Sequence, residues 1–195
     1  KPAIRLDPKE KMTIYNAGYI YFLKKEFATA LEYFQKAEKI DDMVFEPAFQ
    51  AGRIYLELNQ IENAKKYLEK ATGLNSKSAA AFRLLGDTYT NLDRVSDAIT
   101  AYKTSLKLNP EDTEALSALG YSYEIQGKNA DIALMFCRQA IETTPDNGLF
   151  RHRLGRLYLN RKLVEEALGE FQKAQELGYK SDEYIAKTLK LMSSP

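Results

Sequence analysis

Residues 79–112 read AAAFRLLGDTYTNLDRVSDAITAYKTSLKLNPED, and this stretch decides the fold. Its first part carries Phe82 and Tyr89 on one face at helical spacing. A short polar turn follows, and Ser96 is the predicted N-cap of a second helix that carries Tyr102. The stretch therefore predicts two amphipathic helices joined by a turn.

The same pattern recurs along the whole chain. Five glycines are spaced by 34, 34, 34 and 35 residues, and a tyrosine follows each of them by three positions. These pairs are Gly18 and Tyr21, Gly52 and Tyr55, Gly86 and Tyr89, Gly120 and Tyr123, and Gly155 and Tyr158. A glycine inside a helix costs about 1 kcal/mol relative to alanine. Its recurrence predicts that helices approach closely at these positions, with the tyrosines as part of the core.

Three further sets of equivalent positions, called columns below, recur in every repeat at nearly constant distances from the glycines. Two of them hold small residues, namely Ala30, Ala64, Ala98, Ala133 and Ala167, and then Ala37, Ala71, Ser105, Ala140 and Ala174. The column between them holds Phe34, Leu68, Tyr102, Cys137 and Phe171. One helix pair alone cannot bury such apolar faces, but stacked pairs can.

These columns resemble the tetratricopeptide repeat (TPR) family over residues 11–181. The resemblance implies an all-α fold, a right-handed superhelical solenoid of helix-turn-helix repeats. The five predicted repeats are 11–44, 45–78, 79–112, 113–147 and 148–181.

Two flanks remain outside the predicted repeats. Residues 1–10 match the end of an upstream repeat, because Leu6-Asp7-Pro8 is similar to Leu108-Asn109-Pro110. Residues 182–195 are predicted to form a C-terminal capping helix and a tail, with Ser181 as the N-cap. The residues predicted to face inward on that helix are Tyr184, Ile185, Leu189 and Met192.

Composition excludes several classes of protein. The chain has 195 residues, 28 of them Lys or Arg and 27 Asp or Glu, so its formal net charge is +1. Such a balance gives no general attraction to nucleic acid or to an anionic membrane. The single cysteine excludes an internal disulfide, and the single histidine excludes a site that needs two imidazoles.

No catalytic constellation is apparent in the sequence. A dinucleotide fingerprint, a phosphate loop and a nucleophile elbow are all absent. Cys137 falls in the bulky core column, where a buried structural thiol is expected. We therefore expect no enzyme, no cofactor and no metal, and a cytoplasmic protein without a membrane span.

The candidate binding residues follow from the resemblance. In the TPR family the first helix of each pair lines a concave groove that holds peptides. The corresponding positions here are Tyr15, Tyr19, Phe22, Phe49, Arg53, Arg83, Asp87, Ser117, Tyr121, Glu124, His152 and Arg156. The N-terminal aromatic part is either a binding surface or a face covered by residues 1–10 or an upstream repeat.

The C-terminal part of this groove is expected to be basic. Residues 148–162 contain six basic or histidine side chains and no acidic residue, namely Arg151, His152, Arg153, Arg156, Arg161 and Lys162. The alternatives are a solvated face or a surface for acidic partners, because arginine matches carboxylates well.

These observations predict a non-catalytic protein–protein interaction scaffold. It would bind a peptide or partner helix in its groove, with apolar anchors at one end and acidic residues at the other. Self-assembly into a homo-oligomer is a further expectation, whereas nucleic acid is not an expected partner. The alternative is a regulatory or targeting domain of a larger enzyme.

Overall fold

The structure, a computed structural model, describes residues 8–193, with side chains from residue 10 onward. Within this range all regular secondary structure is α-helical, which confirms the predicted all-α class. Most of the predicted N-terminal flank, residues 1–7, lies outside the described residues, as do residues 194 and 195 of the tail. Pro8, which the sequence placed in that flank, begins the first helix.

The helices fall into two compact units, one ending at Asp93 and the other beginning at Arg94. The first unit contains α1 (Pro8–Leu23), α2 (Phe27–Ile40), α3 (Phe45–Glu57), α4 (Ile61–Leu74) and α5 (Ala79–Asn91). Consecutive helices in it pack against each other, and α3 also contacts both α1 and α5.

The second unit contains six helices. They are α6 (Val95–Leu108), α7 (Thr113–Gln126), α8 (Ala130–Thr143), α9 (Gly148–Asn160), α10 (Val164–Glu176) and α11 (Asp182–Met192). Consecutive helices again pack together, and α7 also contacts α9. In both units the helices predicted to line the groove are therefore neighbours.

The predicted small columns form the core of both units. The first column, from Ala30 to Ala167, is fully buried at all five positions, and Phe34, Leu68, Tyr102, Cys137 and Phe171 are at most 1% exposed. A Cβ added to Gly120 would lie 2.6 Å from Cys137 Sγ. One added to Gly52 would lie 2.6 Å from Leu68 Cγ. The predicted close approach is confirmed at these positions, because a larger residue would overlap the facing helix.

The tight turns use a left-handed residue that the sequence analysis did not identify. Lys25, Asn59, Asp93 and Lys162 have φ between 55° and 61°, the region that non-glycine residues rarely adopt. The turn between α7 and α8 instead has two such residues, Gly127 at 68° and Asn129 at 54°. The longer fourth repeat thus changes the geometry of its turn.

Side chains cap only some of the helix starts. Ser78, Asp112 and Asn147 accept hydrogen bonds from backbone N–H groups at the starts of α5, α7 and α9. The prediction of Ser96 as an N-cap is wrong, because α6 begins at Val95. The tight turn sets that start, since the Ala98 N–H already donates to the Arg94 carbonyl.

The tyrosine column is less buried than predicted. Tyr123 is 6% exposed, but the other members are half-buried at the edge of the core. Tyr21 stacks on Tyr33 and Tyr55 stacks on Tyr67, with ring centroids 5.4 and 5.3 Å apart. These stacked rings extend the core outward.

The packed face of the C-terminal helix is only partly the one predicted, because Tyr184 and Ile185 are half-buried but the other two predicted residues are exposed. Thr188 is fully buried and Tyr184 is half-buried, whereas Leu189 and Met192 are 49% and 47% exposed. The expectation that Leu189 and Met192 face inward is therefore wrong. The orientation of α11 follows from Tyr184, which packs against Phe171 with ring centroids 5.2 Å apart.

Candidate functional site

Three aromatic side chains follow one another along α1. Tyr15, Tyr19 and Phe22 are spaced by four and three residues, which places neighbouring side chains on one helix face. The Tyr15 and Tyr19 ring centroids lie 6.3 Å apart, and those of Tyr19 and Phe22 lie 6.0 Å apart. Tyr19 is 36% exposed, so the row presents apolar surface to solvent.

Arg53 extends this row onto α3. Its guanidinium carbon lies 4.7 Å from the Phe22 ring centroid and 5.8 Å from that of Phe49. Arg53 Nη1 donates to Gln50 Oε1 across 2.9 Å, which holds the planar group between the two rings. We call Tyr15, Tyr19, Phe22, Phe49 and Arg53 the aromatic face.

The Arg53 charge has no carboxylate partner within 4.0 Å among the described residues. A guanidinium stacked on rings keeps N–H donors at its edge for a planar acceptor such as a carboxylate. The aromatic face therefore combines apolar contact area with one anion-binding group.

Tyr15 anchors the inner end of the aromatic face. Its ring lies 5.7 Å from that of the buried Phe34, measured between centroids. Burial raises the pKa of the Tyr15 phenol, against the effect of its hydrogen bond with Gln50. The phenol is therefore neutral at physiological pH and serves as a polar hydrogen-bonding group.

Arg83 and Asp87 lie on α5 in the same unit and neutralise each other. Arg83 Nη1 lies 3.3 Å from Asp87 Oδ2, at the i,i+4 spacing of a helical ion pair. These two predicted groove residues thus come together as a pair. A partly exposed i,i+4 pair of this kind stabilises a helix by about 0.5 kcal/mol.

The second unit holds a different group of predicted residues. Arg156 on α9 donates from Nη1 to the Tyr121 hydroxyl across 2.6 Å and from Nη2 to Glu124 Oε1 across 3.3 Å. Its guanidinium carbon also lies 4.7 Å from the Tyr121 ring centroid. The structure therefore brings Tyr121, Glu124 and Arg156 together in one network between α7 and α9.

Glu124 lies at the centre of this network. Its side chain is 4% exposed, and Oε1 also accepts from Asn160 Nδ2 across 2.6 Å. Burial raises the pKa of the Glu124 carboxyl, and the attraction of Arg156 opposes that rise. Oε2 is buried and has no hydrogen-bond partner. Glu124 thus acts as the intramolecular counter-ion of Arg156.

The prediction of His152 as an accessible groove residue is wrong. It is 8% exposed, and its ring lies 4.8 to 5.3 Å from those of Phe171, Tyr179 and Tyr184. His152 Nδ1 is hydrogen-bonded to Ser181 Oγ at 2.9 Å. Ser181 is the N-cap residue of α11 as predicted, but its side chain binds the imidazole and makes no capping hydrogen bond to that helix. Burial, with the charges of Arg156 and Arg153, lowers the pKa of His152 to about 4.

The predicted basic stretch is largely neutralised within the chain. Arg151 pairs with Glu170, Arg156 with Glu124 and Arg161 with Asp131. These acidic partners lie on other helices. They neutralise the three arginines even though residues 148–162 contain no acidic residue.

Arg153 differs from these arginines because it contacts the neutral side chains of Ser117 and Tyr121. It donates from Nη1 to Ser117 Oγ across 3.1 Å, and its guanidinium carbon lies 5.3 Å from the Tyr121 ring centroid. Ser117, predicted as a groove residue, is fully buried by this packing. Arg153 was predictable as a site residue only from the basic character of residues 148–162. Nothing in the sequence predicted a role for Asn160.

The described residues offer little that could support metal or thiol chemistry. No group of three or more His, Cys, Asp or Glu side chains within residues 10–193 could hold a metal ion. Burial raises the pKa of the Cys137 thiol to about 12, and the side chain is fully buried. The prediction of a buried, structural thiol is confirmed. No helix in the described part of the chain is long and apolar enough to cross a membrane.

Comparison with known proteins identifies the family. A model of the cilia and flagella-associated protein 70 C-terminal domain, a TPR family, matches residues 7–191. The chain belongs to this TPR family. No curated protein sequence matches it.

Several solved TPR structures are similar to this one. A crystal structure of MamA shares 28% sequence identity with this chain and gives a TM-score of 0.74. The match covers 92% of this chain and 96% of the MamA chain. YrrB, a TPR protein described with an unusual peptide-binding site, is 24% identical over 91% and 90% of the two chains, with a TM-score of 0.74. A TPR protein of Thermus thermophilus is 21% identical over 92% and 98%, with a TM-score of 0.69. The predicted helical TPR fold is therefore confirmed.

Proposed function

We propose that this TPR protein is a non-catalytic interaction module that binds a peptide or partner helix on the aromatic face. The observation that carries the proposal is Arg53, which is held between Phe22 and Phe49 without a carboxylate partner in the described chain. Tyr19, which is 36% exposed, and the half-buried Tyr15 continue the same surface. TPR families are in general interaction scaffolds, and this supports the same role here.

The mechanism is capture of apolar side chains by the rings and of a carboxylate by Arg53. Tyr and Arg are enriched among the anchor residues of interfaces. Tyr provides a large contact area at low cost in conformational entropy, because its side chain has only two torsion angles. Burial of an aromatic anchor at such a centre contributes about 2 kcal/mol or more to binding. An exposed charge pair contributes about 0–1 kcal/mol, so Arg53 sets the orientation of the ligand more than its affinity.

The second unit has a different role in this proposal. Arg156 is occupied by Glu124 and Tyr121, and His152 is buried, so these residues stabilise α7, α9 and α11. The ligand's acidic group is accordingly assigned to Arg53 in the first unit. The internal pairing of Arg151, Arg156 and Arg161 also favours a protein ligand over nucleic acid, which needs unpaired basic side chains.

The test begins with a displayed library of random peptides selected on the immobilised protein. Affinity of the selected peptides is then measured by calorimetry for the wild type, Tyr19→Ala and Arg53→Gln. We expect Tyr19→Ala to weaken binding by roughly tenfold or more. We expect Arg53→Gln to reduce the preference for peptides that contain Asp or Glu.

The matched control is Leu58→Ala, which removes a side chain of similar exposure, 39%, from the turn after α3. It should leave the affinity unchanged. Peptides that bind Tyr19→Ala and the wild type equally would show that the aromatic face is not the binding surface.

A second candidate function is self-association through α1. Met12, Ile20 and Leu23 on this helix are 61%, 53% and 63% exposed. They lie at i, i+8 and i+11 and so share a side of the helix. Exposed apolar stripes of this kind often mark interaction surfaces.

A further inference from the structure

A pocket of about 360 Å³ opens in the first unit where α1 and the end of α2 meet the start of α3. The apolar part of its lining consists of Met12, Tyr15, Ala37, Val44 and Pro47. The space exists because three of these side chains, at Ala37, Val44 and Pro47, are short. Its volume lies at the lower end of the range of about 300–1,000 Å³ typical of ligand pockets.

Charged groups surround this apolar lining. Lys11 Nζ pairs with Asp41 Oδ2 at 3.0 Å, and Asp41 Oδ1 accepts from the Met43 N–H across 3.2 Å. Glu46 is exposed and has no basic partner within 4.0 Å in the described part of the chain. With one Lys and two carboxylates, the charged lining has a formal net charge of −1, and Glu46 is the carboxylate outside the ion pair.

We propose that this pocket binds an apolar side chain of a peptide in which the next residue is Lys or Arg. The apolar side chain packs against Met12, Tyr15 and Val44, and the basic group pairs with Glu46. The inference rests on the proposed function, because Tyr15 belongs both to the pocket and to the aromatic face.

The two sites together define an orientation for one ligand. Arg53 attracts a carboxylate at the aromatic face, whereas Glu46 attracts a cation at the pocket. Opposite charges at the two positions disfavour the reversed peptide, since like charges then come together. The charge pattern of the ligand thereby determines its direction along α1.

The test uses short capped peptides and nuclear magnetic resonance of the ¹⁵N-labelled protein. The probes are acetyl-Leu-Arg-amide, acetyl-Leu-Glu-amide and acetyl-Gly-Arg-amide, each added up to about 10 mM. We expect the first probe to shift the amide signals of Met12, Val44 and Glu46 with millimolar affinity, and the other two to bind at least threefold more weakly.

Two variants separate the pocket from general effects. Val44→Trp fills the opening from a half-buried position outside the helices and should abolish the shifts. Glu46→Lys should weaken acetyl-Leu-Arg-amide at least threefold, whereas Glu57→Lys, an exposed change on the same helix, should not. Unchanged far-ultraviolet circular dichroism verifies that each variant is folded.

Three results would overturn the inference. The first is no shift at 10 mM, and the second is equal binding of the acidic probe. The third is a shift of the same signals without any peptide. A shift on dilution would mean that a second copy of the protein occupies the pocket, and a shift on deletion of residues 1–7 would mean that the chain itself occupies it. If the capped peptides do not bind but the displayed peptides still require Tyr19, the pocket is not a binding site and the proposed function still stands.

Discussion

Arg156 Nη2 lies 3.3 Å from Glu124 Oε1, and only 4% of the Glu124 side chain is exposed. Removing one partner of a buried pair leaves the other charge without compensation. We expect Arg156→Ala to lower the free energy of unfolding by about 2–3 kcal/mol. Urea denaturation followed by circular dichroism measures this change.

Two controls identify the cause of that loss. Arg156→Ala combined with Glu124→Gln should recover part of the stability, because the buried charge is then gone. Lys65→Ala, which breaks an exposed pair with Glu62, should cost about 0.5 kcal/mol or less. Equal effects of Arg156→Ala and Lys65→Ala would contradict the account of a buried pair.

His152 should make stability depend on pH. Because its pKa is lowered to about 4 in the folded state, the unfolded chain binds more protons between pH 4 and 6.5. Stability therefore falls as the pH falls through this window, by about 3 kcal/mol in all from this group. His152→Gln, which stays neutral and can still bond to Ser181, should remove that part of the dependence.

The measurement is direct because the chain has one histidine. A single imidazole Hε1 signal can be titrated by nuclear magnetic resonance without assignment. We expect it to remain in its neutral position at pH 5. A midpoint near 6.5 would mean that the imidazole is solvated and would contradict its burial.

The glycine columns give a pair of opposite predictions. In Gly120→Ala the new Cβ would lie 2.6 Å from Cys137 Sγ and 2.8 Å from the Ala133 carbonyl oxygen. We expect a loss of about 1–3 kcal/mol, since the facing backbone must move. Gly73→Ala on α4 meets nothing within 4 Å and should stabilise by about 0.5–1 kcal/mol. Thermal unfolding of both variants checks the contrast, and equal signs would refute it.

Periodicity explains why the helices and the core were predictable. The columns that contain Ala64, Leu68 and Ala71 repeat at a fixed spacing, so burial at one repeat implied burial at the others. The left-handed turn residues Lys25 and Lys162 were not predictable in this way. Their conformation follows from the tight connection between two packed helices and not from any preference of lysine.

The candidate sites depended on contacts between residues far apart in the sequence, which a column does not specify. Arg156 and its partner Glu124 are 32 residues apart, and His152 and Ser181 are 29 apart. The sequence placed Arg156 and His152 on a groove-lining column. It could not show that a carboxylate or a later helix would cover them, because this depends on how the side chains of neighbouring repeats meet.

The turn of the fourth repeat should open more readily than the others. Ala130 is exposed, whereas the corresponding residues Phe27, Ile61, Val95 and Val164 are half-buried. We expect faster hydrogen exchange over 124–136 than over the corresponding 159–170 in the same unit.

Substitution of Ala130 by valine tests the cause of that opening. Partial burial of the added methyl groups should raise the free energy of unfolding by about 0.5–1 kcal/mol and slow exchange over 124–136. Ala80→Val, at an exposed position in the first turn of α5, is the matched control and should give no gain. Equal hydrogen-exchange rates in the two turns of the wild type would contradict the prediction that the turn of the fourth repeat opens more readily.

Self-association through α1 leads to the last prediction. On this helix Ile14 is half-buried, whereas Met12, Ile20 and Leu23 are exposed. Light scattering after size exclusion should show a mass that rises with protein concentration. Ile20→Asp and Leu23→Asp should return it toward the monomer, because a charge cannot be buried unpaired in an apolar contact. Ile132→Asp, at 42% exposure on α8, should leave the association unchanged. A wild type that stays monomeric at millimolar concentration would rule out this role for α1 and leave its exposed stripe to other partners.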